Sequence, residues 1–129
     1  MIQRTNVEGL SEPPGYSHAV VASGGRLVTT ARAVPLDPGG DLVGPGDCVA
    51  QAQQVLENLA LALGAVGARG SDVLKTTVYV ASENREDLAA VWRVVQGSEV
   101  ADAASTLLGV SLLGYEGQLV EIEATAVLE

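Results

Sequence analysis

Two segments of helical periodicity set among β-rich runs limit the folds open to this chain. Val49, Ala52, Val55, Leu56, Leu59 and Leu63 recur at three-and-four spacing, as do Leu88, Val91, Trp92 and Val95. Each series paints one apolar stripe on a helix. Asp47 is placed to cap the first helix and Ser82 or Asn84 the second; Gly67 or Gly70 and Gly97 provide stops. Between the helices runs Val73–Ala81, β-branched and carrying Tyr79. Two runs precede them, Tyr16–Ser23 and Arg26–Val34, and Gly24-Gly25 between these predicts a tight hairpin. Two follow, Thr106–Leu113 and Gln118–Leu128. The order β-β-α-β-α-β-β predicts an α+β fold, a mixed sheet with two helices on one face. Residues 1–15, ending in Pro13-Pro14-Gly15, read as an irregular lead-in, and Pro35–Gly46 as a long loop. With no internal repeat or linker, 1–129 reads as a single domain.

The apolar content is 47%, almost all Val, Ala and Leu, with one Trp, three Tyr and no Phe. Side chains this small require close packing, and a domain of this size gains stability by associating with copies of itself. Seven basic residues against sixteen acidic ones give a charge of -9 without a basic cluster, which argues against a nucleic-acid partner. The longest apolar run, Leu59–Ala68, is too short for a membrane span of about 20 residues. The N-terminus lacks an apolar signal region and there is one cysteine, so a reducing cytoplasm is the expected setting.

His18 and Cys48 are each the only residue of their kind, and no phosphate loop or Ser/His/Asp order is present. No metal or cofactor is therefore expected. Cys48 lies near a helix N-terminus, a place that can lower a thiol's pKa, but it is read as an ordinary thiol without a reactive role. Glu121 and Glu123 share one face of the last run, opposite Val120, Ile122 and Ala124. Two readings stand: a solvated sheet face, or a subunit interface in which a carboxylate becomes a candidate acid or base.

The tail Leu119-Val-Glu-Ile-Glu-Ala-Thr-Ala-Val127 resembles the closing strand of the Rid family, also called YjgF/YER057c/UK114 or reactive-intermediate deaminase family. Gly15-Tyr16-Ser17-His18-Ala19-Val20 is similar to its opening Gly-Pro-Tyr-Ser-Gln-Ala motif. Val34-Pro35-Leu36-Asp37-Pro38 resembles its post-strand turn, Gln53–Leu63 its first helix, and Asp72–Val80 its third strand. The resemblance implies a chorismate-mutase-like fold and a homotrimer with three clefts between subunits. In active members those clefts hydrolyse enamines or imines to ketoacids and ammonia.

Carried over by position, the family's tyrosine matches Tyr16 and its water-positioning glutamate Glu121. Other positions depart from the pattern. Ser105 stands where the carboxylate-gripping arginine is usual, Ala31-Arg32-Ala33 replaces Ser-Gly-Gln, and Trp92 replaces an asparagine. Serine cannot reproduce a guanidinium's charge or fork. Arg32 points to solvent or supplies the lost cation from a neighbouring strand. Trp92 belongs to the core or walls the cleft, His18 is a satisfied strand histidine or a base, and Tyr16 is core or cleft. The expectation is a divergent Rid-like protein that binds and transforms a small reactive metabolite, with a specialised natural-product pathway as one setting. Glu121 and Tyr16 would do the chemistry; Arg32, Ser105, Trp92 and His18 would bind. The alternative is a non-catalytic trimeric ligand-binding or regulatory homologue. The standard imine deaminase and endoribonuclease activities fit the departures less well.

Overall fold

The computed structural model describes residues 1–129. Its elements are β1 (Ile2–Thr5), β2 (Ala19–Ala22), β3 (Arg26–Thr29), α1 (Cys48–Ala65), β4 (Val73–Val80), α2 (Arg85–Gln96), β5 (Ala104–Gly109) and β6 (Val120–Leu128). Helix α1 starts where the Asp47 carboxylate accepts the amide hydrogen of Ala50 at 3.0 Å. It stops at Gly67, whose φ of +85° lets the Ala68 and Gly67 amides turn back to the carbonyls of Leu63 and Gly64. Asn84, not Ser82, caps α2 by accepting from Glu86, and Ser82 donates to Asp87 instead.

The main sheet has the order β3-β6-β4-β5; β4 and β5 are parallel and the other pairs antiparallel. Helix α2 is the crossover that a parallel β4–β5 pair requires. Both helices pack on the same face. Val55, Leu59 and Leu63 of α1 and Val91 and Val95 of α2 meet Val78, Val80, Val120, Ile122, Ala124 and Ala126 in one buried cluster. The α+β prediction with two helices on one side is the observed architecture. No helix is long and apolar enough to cross a membrane.

Two local expectations are corrected. The lead-in is not wholly irregular, since Ile2–Thr5 forms β1 and pairs antiparallel with β2. Four residues with one apolar side chain give almost no strand signal by themselves, and the pairing comes from a partner fourteen or more residues away in sequence. The Gly24-Gly25 hairpin does not form either, because β2 pairs with β1 and β3 with β6. The glycines make a corner between two sheets instead. Both have positive φ, and a Cβ on Gly25 would lie 2.3 Å from the Leu128 carbonyl oxygen.

The sequence places Gln51 on the polar side of α1, yet it is completely buried. Its Nε2 donates to the carbonyls of Gly44 and Gly117, both at 3.1 Å, and its Oε1 accepts from the Leu119 amide at 2.7 Å. One side chain thus ties the loop before α1 to the entry of β6. Gln51→Leu keeps the volume but strands three backbone groups, each costing about 1–3 kcal/mol when buried and unpaired. A loss of at least about 2 kcal/mol is expected in urea unfolding; a variant as stable as the parent would show that water replaces the amide.

Candidate functional site

Antiparallel pairing sets Glu121 opposite Tyr79 and Glu123 opposite Thr77. Side chains alternate across a strand, so these four share the face the helices leave uncovered. Glu121 is nevertheless only 4% exposed. Part of its cover comes from the chain after β3. Register there slips by one residue, from Thr29 opposite Thr125 to Ala33 opposite Ile122. The Thr30 hydroxyl accepts the Ala124 amide hydrogen at 3.0 Å, doing the work of a ladder carbonyl across the slip. Arg32 then lies with Nε 3.4 Å from Glu121 Oε1.

A second donor meets the same oxygen. Gln118 Nε2 donates to Glu121 Oε1 at 3.2 Å and to the Val120 carbonyl at 3.1 Å, while its own Oε1 accepts from the Tyr115 amide. Arg32 and Gln118 therefore fix one carboxylate oxygen and leave the other to take a water or a substrate proton. Beside it the Tyr79 hydroxyl donates to Glu123 Oε1 at 2.8 Å.

A separate cluster forms on the helix side. Ser105 of β5 pairs with Thr76 of β4, a core-facing position, and the Thr76 hydroxyl donates to Ser105 Oγ at 2.7 Å. Trp92 Nε1 and Gln96 Nε2 both donate to the Pro14 carbonyl, at 2.7 and 2.8 Å. Gly15 follows with φ +88°, tight against Gln96, and turns Tyr16 into place. The Tyr16 ring meets Trp92 and His18 edge-on, each at 6.0 Å. Pro14, Tyr16, Trp92, Ser105 and Leu107 line a hollow of about 210 Å³. A larger hollow of about 380 Å³, between α1 and the segments that follow α1 and α2, contains none of the candidate catalytic or binding residues.

The structure thus divides the expected site. Tyr16, Trp92 and Ser105 come together, with His18 at their edge, whereas Arg32 joins Glu121 across the sheet. His18 Nδ1 accepts the Val7 amide hydrogen at 2.9 Å, which anchors the lead-in. Trp92 is both half-buried against the core and a wall of the hollow. Cys48 does not have the lowered pKa that its place near a helix N-terminus could have given it. Burial, followed by the Asp87 and Asp47 carboxylates, raises its pKa above the ordinary value and outweighs the helix N-terminus. Gln118 and Tyr79 escaped the sequence reading, since a glutamine before a strand and a tyrosine within one are ordinary. Only their pairing with Glu121 and Glu123 gives them a place here. No group of three or more His, Cys, Asp or Glu side chains converges as a metal site would require.

The hydrogen bond to Glu123, then burial and the charges of Glu123 and Glu121, push the Tyr79 phenol above its ordinary pKa of 10.0; Arg32 pulls it the other way. A raised phenol pKa stabilises the fold fully below the unfolded value and loses that contribution as pH rises through the folded one. Tyrosinate absorbance, read as the difference between the parent and Tyr79→Phe, should show Tyr79 ionising later than a free tyrosine. Glu123→Gln should bring the transition down; an unmoved transition would mean the hydrogen bond is not what holds the proton.

A family model described as Endoribonuclease L-PSP matches residues 10–128. Protein DfrA of Myxococcus xanthus is 37% identical over 116 residues, covering 87% of this chain and 84% of the relative. The mouse 2-iminobutanoate/2-iminopropanoate deaminase is also 37% identical over 116 residues, covering 87% and 80%. Among solved structures, YyfB of Yersinia pestis, described as a protein of unknown function of the conserved Rid family, superposes with a TM-score of 0.90. It is 39% identical, and the match covers 98% of both chains. A putative endoribonuclease from Thermotoga maritima gives a TM-score of 0.72 at 30% identity, over 98% of this chain and 92% of that one. With the shared α+β architecture, these matches establish that the chain belongs to the Rid (YjgF/YER057c/UK114) family.

Proposed function

We propose that this protein is a trimeric small-molecule hydrolase whose clefts form between copies, and that it splits imine- or enamine-like C–N bonds with water held by Glu121. The observation that carries this reading is the division of the site. Glu121 with Arg32 lies on the uncovered face of the sheet, and Tyr16, Trp92 and Ser105 lie on the covered side. Two groups on opposite faces cannot meet on one substrate within a chain. They can meet when the uncovered face of one copy approaches the hollow of the next. Association would also bury that face, which carries the exposed Leu27 and Leu108.

In the cleft, the free oxygen of Glu121 accepts a proton from water as the water attacks the imine carbon. Glu121 returns that proton to the nitrogen, giving a carbinolamine, and then carries the carbinolamine hydroxyl proton to the same nitrogen, so that ammonia leaves as the carbonyl forms. Arg32, through its unpaired guanidinium nitrogens, meets an anionic end of the substrate. The name of the mouse relative supports imine chemistry. A second reading, a ligand-binding homologue without turnover, is favoured by Ser105, which brings no cation to the hollow. The family model's description raises ribonuclease action, but seven dispersed cations in a chain of charge -9 offer an RNA backbone little.

Ammonia release from freshly generated imino acids tests the chemistry. Glu121→Ala should lower the rate by about a hundredfold or more, the scale of a lost general base, with the solution mass unchanged. Turnover by neither protein would favour the binder. The cleft itself is tested by co-producing Glu121→Ala with Tyr16→Ala chains. Mixed assemblies should regain activity that neither variant has alone, because one cleft inherits both intact halves; a monomeric mass for the parent protein would remove the basis for the proposal.

A further inference from the structure

The hollow under Tyr16 and Trp92 has a composition that selects its occupant. Its five lining residues, Pro14, Tyr16, Trp92, Ser105 and Leu107, carry no formal charge. The two aromatic rings stand at 72° to each other with centroids 6.0 Å apart, so they form a corner rather than a parallel stack. A flat group entering such a corner lies face-on to one ring and edge-on to the other, the two arrangements that ring quadrupoles favour. At about 210 Å³ the space is below the 300–1,000 Å³ typical of drug-sized sites, and suits one ring or a short conjugated chain.

The polar groups fit the same occupant. Ser105 Oγ accepts from Thr76, so its own hydrogen is directed elsewhere, and Tyr16 contributes a phenol hydroxyl. These are partners for a neutral oxygen or nitrogen. A carboxylate here would give up its hydration without meeting a cation, in a protein already at -9. The corner is also firmly built. The Trp92 indole nitrogen and Gln96 both hold the Pro14 carbonyl, and Ser17, next to Tyr16, donates to the Asp102 carbonyl at 2.7 Å.

We infer that the Tyr16–Trp92 hollow is a subsite for an uncharged planar substituent of a small molecule, aromatic or conjugated, and not for a carboxylate. The inference rests on the reading of this hollow as one wall of a small-molecule cleft and specifies which part of the ligand enters it. The anionic end, where a ligand has one, is left to Arg32 of another copy.

Trp92 is the only tryptophan, so its fluorescence reports on this hollow alone. The intact protein is titrated with benzyl alcohol, an uncharged ring, and with pyruvate, a carboxylate without one. Benzyl alcohol should shift the emission saturably, and pyruvate should need at least about tenfold higher concentration. Leu107→Phe, which narrows the hollow without adding charge, should weaken benzyl alcohol about fivefold or more with an unchanged circular dichroism spectrum. Pyruvate acting as well as benzyl alcohol, no response to either, or a Leu107→Phe protein that binds as before would each overturn the inference. None of these results bears on whether chains assemble or Glu121 is needed for turnover, so the subsite and the cleft can fail separately.

Discussion

A sheet has two faces, and this chain has helices for only one. Helices α1 and α2 cover the side that carries Val78, Val80, Val120 and Ile122. The other side must be solvated or be covered by something else. Most of what distinguishes the molecule follows from that shortage. The uncovered side carries Glu121, Glu123, Tyr79 and Thr77. The chain after β3 folds back over part of it, bringing Arg32 to Glu121. A carboxylate that is only 4% exposed needs such partners, because desolvating an unpaired charge costs several kcal/mol. Arg32 and Gln118 supply the compensation while leaving one oxygen free.

The core and the site are joined by side-chain amides. Gln51 and Gln118 are both buried, and their hydrogen bonds run along the same stretch of chain. Gln51 fixes Gly117 and Leu119; Gln118, between them, fixes Glu121. The packing of α1 is thereby transmitted to the orientation of the carboxylate. A core of Val, Ala and Leu makes this possible, since small side chains let the helix lie close enough for an amide to bridge two loops.

The departures that the resemblance implies form a coherent set under the proposed function. Ser105 removes a cation from the helix-side hollow, and Trp92 adds an aromatic wall to it. Arg32 places a cation on the opposite face, beside Glu121. In the proposed cleft, charge recognition and shape recognition would be moved apart relative to the pattern that the resemblance implies. A scaffold can change its ligand in this way without changing its fold, because none of the three positions is fully buried.

What could be read from the sequence was set by local spacing. The stripe from Ala52 to Leu63, the cap at Asp47 and the β-branched run before Tyr79 each depend on neighbours a few residues away, and these fixed the helices, most strands and the α+β order. The alternation in the last strand put Glu121 and Glu123 on a shared face. Pairing between distant segments was invisible: that β1 joins β2, that Gly25 turns a corner against Leu128, and that a one-residue slip delivers Arg32 to Glu121. The burial of Gln51 was hidden for the same reason, since its three partners come from two separate loops. Periodicity determines which face a residue occupies. Which other segment meets that face depends on contacts between parts of the chain far apart in sequence, and only the tertiary structure decides those.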